Sequence, residues 1–149
     1  MNSNKFLIEC IYRREYGERI NSGKQKVEGR KGKNIVENLL VWKKAHELTL
    51  NIYEITKDFP KDELFGLTSQ MRRSSTSVPC NIVEGKARGS SKDFRRFLLI
   101  ARGSLEELKY QILLSKDLKY IDEEKNNELQ NIAKEVGKLL NGLMVSLDK

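Results

Sequence analysis

The sequence is short of the residues that build most chemistry. It has two cysteines, two prolines, one tryptophan and one histidine in 149 positions. Cys10 and Cys80 lie far apart and form no CxxC pair, so neither a disulfide framework nor a zinc site can be read from them. A reducing compartment is the expectation, with Cys80 a small apolar filler. The longest purely apolar run in the helical region, Phe97 to Ala101, falls far short of the ~18 residues that cross a bilayer. Near the N-terminus Phe6-Leu7-Ile8 is followed by Glu9, Arg13 and Arg14, too short and too charged for a signal peptide. A cytoplasmic protein with no membrane partner is therefore expected. Two prolines also argue against a loop-rich all-β chain.

Enzyme signatures are missing as well. There is no HExxH, P-loop, GxGxxG or GxSxG. With His46 the single histidine, no nucleophile–base–acid triad can be assembled in one subunit. His46, beside Ala45, reads better as a partly buried structural residue. Glu84 could serve as an acid or base, but Arg88 stands four residues on and makes an ion pair the simpler reading. The expectation is a non-enzyme with no cofactor and no metal.

What the sequence does have is charge and period. Charged residues are 33% and the net charge is +7, with a pI near 9.4 and a mean hydropathy of -0.59. The length suits one domain, or one domain and a tail. Residues 1–34 hold nine Lys/Arg against four Asp/Glu, and between Asn21 and Asn34 the only aliphatic is Val27. Such a segment buries too little to offset its ordering entropy, and it reads as a flexible basic tail, within which Phe6 to Tyr16 could form a short docking element.

From residue 35 to 149 the apolar spacing is helical throughout. Val41, Ala45, Leu48, Ile52, Ile55 and Phe59 form one stripe, ended by Pro60. Leu64, Leu67, Met71, Ser74, Val78 and Ile82 form the second. Phe94, Leu98, Ala101, Leu105, Leu108 and Ile112 form the third, and Leu129, Ile132, Val136, Leu139 and Leu143 the fourth. Four such stripes with short connections predict an all-α, antiparallel up-down-up-down four-helix bundle. Asp62, Ser90 and Asp122 are the candidate N-caps, and Gly89 the candidate stop. Pro79 falls inside the second stripe. It predicts one long helix kinked near Ser75–Pro79, with hydroxyls satisfying the freed carbonyl; two shorter helices are the alternative.

Two features suggest contacts. Ser74, Ser77, Gly85, Gly103 and Ser104 are small residues at helical positions, read as close packing alone or packing plus a subunit contact. Between Arg72 and Arg102 there are eight basic residues against Glu84 and Asp93, while the rest of 35–149 has more acids than bases. Lys92, Arg95, Arg96 and Arg102 fall on one arc of the third helix, away from its apolar arc. Arg72, Arg73, Arg88, Lys92, Arg95, Arg96 and Arg102 are thus the candidate nucleic-acid-binding residues, since arginine suits bidentate phosphate contacts. A merely solvated helix face is the alternative. Phe94 and Phe97 are assigned to the core, so binding should be backbone-directed and salt-sensitive.

The order of several blocks resembles the 23S ribosomal RNA intervening-sequence protein family, also called four helix bundle proteins. The likeness runs from about Leu39 to Leu147 and rests on Val41-Trp42-Lys43-Lys44-Ala45-His46, Phe59-Pro60, Glu63 to Arg73, Ser77 to Gly85, Ala101 to Glu107 and Leu139 to Leu143. Cys80 and Val83 stand where that family usually has alanine, and residues 1–34 have no counterpart. Arg72, Arg73, Pro79, Asn81, Glu84, Gly85 and Gly103 sit on the shared motifs. The resemblance implies a ring-like homopentamer, encoded typically within intervening sequences of large-subunit rRNA genes. A more distant likeness is to the accessory variability protein of diversity-generating retroelements, which implies nucleic acid and a reverse transcriptase as partners. The expected function is an oligomeric bundle that binds RNA or DNA; the alternative is a scaffold or accessory factor for a reverse transcriptase or RNA-processing enzyme.

Overall fold

The computed structural model describes residues 39–148, so the basic tail expected over 1–34, its 34/35 boundary and the Phe6–Tyr16 element lie outside the described residues. The described residues form four α-helices and no strand: α1 Leu40–Ile55, α2 Leu67–Ala87, α3 Ser91–Asp117 and α4 Glu123–Leu147, with a 3-10 turn at Lys61–Glu63. Each α-helix packs on two others: α2 on α1 and α3, α4 on α3 and α1. The four apolar stripes meet in one core whose fully buried side chains include Leu48, Ile52, Met71, Ile82, Leu98 and Leu105. At roughly 1.5–3 kcal/mol for each buried aliphatic side chain, this core is what holds the helices together. No described helix is long and apolar enough to cross a membrane.

The turn chemistry follows the sequence at two of three connections. After α2, Gly89 takes φ +73, a left-handed conformation that glycine enters without a Cβ penalty. Ser90 then caps α3, its side chain accepting from the Asp93 N–H at 3.3 Å. Asp122 caps α4 by accepting from the Lys125 N–H at 2.7 Å, and Glu123 and Glu124 complement the helix dipole behind it.

The first connection is different. α1 stops at Ile55 rather than running to Phe59: beyond it the chain tightens, the Lys57 and Asp58 N–H groups reaching back three residues to the Glu54 and Ile55 carbonyls at 3.2 and 3.4 Å, ahead of Pro60. Phe59 is nonetheless buried, its ring 5.3 Å from that of Tyr120. Asp62 is not the cap of α2. The Glu63 carboxylate takes that part, accepting from the Leu67 N–H at 2.9 Å, and Leu64, assigned to the second stripe, is left exposed outside the helix.

Pro79 sits within a single continuous α2, as the long-helix reading expected. A proline at this position cannot donate to the carbonyl of Ser75. The buried Thr49 hydroxyl of α1 lies 2.9 Å from that carbonyl and 2.9 Å from the Ala45 carbonyl of its own helix, so its single proton is shared between the two and Thr49 is the donor in reach of Ser75. The irregularity of α2 is therefore tied to its neighbour rather than left open.

Candidate nucleic-acid interface

The turn between α2 and α3 folds the two helices back on each other, and their closeness there is set by Gly85. A Cβ at Gly85 would lie 2.6 Å from the Phe97 Cβ and 3.0 Å from the Phe94 Cδ2, so any larger residue collides with α3. Farther from the turn the pairing is polar: the Ser77 and Ser104 hydroxyls are 2.8 Å apart. Asn81 donates to the Ser77 carbonyl at 2.7 Å and to its hydroxyl at 3.0 Å, which fixes that side chain along its own helix. Gly103 departs from the packing expectation. It is exposed and nothing lies within 4 Å of where its Cβ would be.

The close approach at Gly85 shapes the aromatics beside it. Phe94 is buried as expected, but Phe97 is only half-buried and is not a plain core residue. The Arg88 guanidinium lies 5.4 Å from the centre of the Phe97 ring and that of Arg96 6.0 Å. Lys86 stands 5.5 Å from the Phe94 ring. A cation over an aromatic face gains about 0.5–1 kcal/mol at an exposed site, enough to bias these long side chains toward fixed positions. Arg88 is held additionally by Glu84, the expected i,i+4 ion pair.

The seven basic candidates divide. Arg88, Lys92, Arg95, Arg96 and Arg102 are exposed on the turn and the first four turns of α3. Arg95 pairs with Asp148 at 2.8 Å. Among the described residues Lys92, Arg96 and Arg102 have no carboxylate in ion-pair range. Arg72 and Arg73 belong elsewhere: Arg72 is 16 residues before Arg88 on α2, about 24 Å along the helix. Arg72 is half-buried, donating from Nε to the Thr56 hydroxyl at 2.8 Å and lying 5.0 Å over the Tyr53 ring. It acts as a clasp between α1 and α2, while Arg73 beside it is exposed. Sequence periodicity placed each cation on its own helix, but it could not show that Lys86, Arg88 and Arg96 share two phenylalanine rings. The turn signal at Gly89, folded on paper, was the one clue available.

His46 stacks on Trp42, ring centres 5.1 Å apart and planes within 9°. Burial depresses its pKa below the ordinary 6.5. Among the described residues no cluster of three or more His, Cys, Asp or Glu could hold a metal.

The sequence model of the 23S rRNA-intervening sequence protein family matches residues 37–142. The chain belongs to that family. The match covers α1 to α3, the basic turn and most of α4. A crystal structure of a protein of unknown function from the S23 ribosomal protein family of Bacteroides thetaiotaomicron is similar to this chain. It is 30% identical, with a TM-score of 0.65 and coverage of 70% of this chain and 94% of that one. No curated protein matches. Membership in the 23S rRNA-intervening sequence family thus goes with a four-helix fold, and the solved relative leaves the activity open.

Proposed function

We propose that this protein is a non-enzymatic, cytoplasmic, oligomeric four-helix bundle of antiparallel up-down-up-down course that binds RNA or DNA, associated with rRNA intervening sequences. The carrying observation is the α2–α3 end, where Arg88 and Arg96 are poised over Phe97 and Lys92, Arg96 and Arg102 face solvent without a carboxylate partner among the described residues. Cations arranged this way meet phosphates with part of their ordering cost already met. The topology reading draws on cross-helix contacts: Arg95 near the start of α3 meets Asp148 just past α4, and Tyr120 just past α3 meets Glu63 just before α2. Oligomerisation, expected as a homopentamer, draws on exposed Leu99, Ile100, Tyr110 and Leu113 around the open Gly103 on the outer side of α3.

The test is an anisotropy titration of the full chain against unstructured RNA and duplex DNA at two salt concentrations. Binding at low salt that weakens with added salt is expected. The triple change Lys92→Gln, Arg96→Gln, Arg102→Gln should flatten the slope of log affinity against log salt by about 2 to 3, at roughly 0.7 to 0.9 per phosphate contact. No binding at low salt overturns the reading and leaves the scaffold role beside a reverse transcriptase or RNA-processing enzyme.

A further inference from the structure

We propose that the end of the bundle built from residues 56–66 and 116–124 docks a protein partner whose surface offers an apolar pocket rimmed by lysine and arginine, with Phe65 as the inserted side chain. Phe65 is 93% exposed, and Leu64 and Leu118 nearby in sequence to the two turns are 52% and 45% exposed. A phenylalanine this open takes no part in the core of the described helices. It is also not at the tip of a slack loop. The 3-10 turn before it is closed by the Glu63 N–H on the Pro60 carbonyl at 2.9 Å, and the Gly66 N–H reaches the Glu63 carbonyl at 3.0 Å. The Glu63 carboxylate is held at both oxygens: one accepts from the Leu67 N–H at 2.9 Å, the other from the Tyr120 hydroxyl at 3.1 Å. Tyr120 in turn packs on buried Phe59. Phe65 is thus presented from a turn fixed on both sides, and a pre-oriented aromatic with two torsions is the kind of residue that carries binding energy at protein interfaces.

Charge selects the occupant. Residues 56–66 and 116–124 together hold seven acids against four lysines. That surplus repels nucleic acid and anionic lipid, and it sets acid against acid if two copies meet by this face. A head-to-tail contact with the basic end of another copy would match the charge and could close into a ring, and it is the competing occupant that the oligomer-size measurement below separates. A different protein with basic groups around an apolar pocket fits both the knob and its surroundings. This inference stands apart from the nucleic-acid reading, which concerns the opposite end of α2.

The experiment uses the labelled full chain and a synthetic amphipathic helix of leucine and lysine, with its leucine and glutamate counterpart as control. The basic peptide should shift the amide signals of residues 61–66 and 118–120, and Phe65→Ala should weaken its binding about tenfold or more. The fold should be untouched, since so exposed a side chain contributes little to stability, and RNA affinity should be unchanged. Equal binding of the peptide by Phe65→Ala, equal binding of the acidic peptide, or a drop in oligomer size on light scattering of Phe65→Ala each overturns the proposal, the last because a second copy would then be the occupant.

Discussion

Phe97 and Phe65 mark opposite ends of α2, and the two rings are treated in opposite ways. Phe97 is pressed by Gly85, which leaves no room for a Cβ, and is roofed by the guanidinium groups of Arg88 and Arg96. Phe65 is anchored through its backbone, yet among the described residues nothing covers it. The difference lies in what each ring does for the chain's own charges. At the basic end the aromatic is consumed inside the fold as a platform that orders cations. At the acidic end it projects, and the groups around it carry the opposite sign. One bundle therefore presents two chemically distinct faces from the same four helices.

The largest effect is expected where the basic end is clasped. Gly85→Val places two methyl groups against Phe94 and Phe97, and overpacking of this kind costs about 3 kcal/mol. Chemical denaturation should show that loss, together with weaker RNA binding as Arg88 and Arg96 lose their common ring. Gly103 supplies the opposite sign. Within one bundle nothing meets a Cβ there, so Gly103→Ala should raise the stability of the bundle itself by about 0.5–1 kcal/mol through helix propensity. If both glycines respond alike, the contrast between a clasped and an open α3 face is wrong.

The middle of the bundle gives the next effect. Thr49→Val removes the hydroxyl that serves the Ser75 carbonyl, leaving a buried acceptor unsatisfied at about 1–3 kcal/mol. Adding Pro79→Ala restores a backbone donor to that carbonyl, so the double variant should recover most of the loss. A thermal or denaturant double-mutant cycle with no coupling between the two positions would show that α2 is not tied to α1 at its proline. A rigid α2 is what keeps the two ends about 30 Å apart over 21 residues.

The same pair shows what could be read without coordinates. Pro79 within a continuing stripe announced a long helix with an orphaned carbonyl, because proline's lost donor is a covalent fact. That Thr49 would answer it was not legible, since Thr49 lies 26 residues away and the partnership exists only once α1 and α2 pack. Caps at Ser90 and Asp122 were legible because a cap is local. The part played by Glu63 was not legible, because its carboxylate meets both the Leu67 N–H and the Tyr120 hydroxyl, and the second lies 57 residues away. The basic candidates followed the same rule. Helix period placed Lys92, Arg96 and Arg102 outward correctly, whereas Arg72 was drawn inward by Tyr53 and Thr56, contacts that no single-helix projection contains.

The smallest effect sharpens the comparison by separating both ends from the one side chain that titrates near neutrality. His46 is the single histidine, and its burial against Trp42 disfavours the charged ring, so its folded pKa falls below the 6.5 of the unfolded chain. Between those two values the unfolded chain binds more proton than the folded one, and stability must rise with pH. The contribution is therefore complete above about 6.5 and is lost as pH falls toward the folded value. Denaturant midpoints across this window should decline on acidification, and His46→Gln should flatten the decline without moving RNA affinity or Phe65-dependent peptide binding. Because Trp42 is the only tryptophan, its fluorescence reports the same titration directly. A decline that survives unchanged in His46→Gln would show that the effect does not come from this ring.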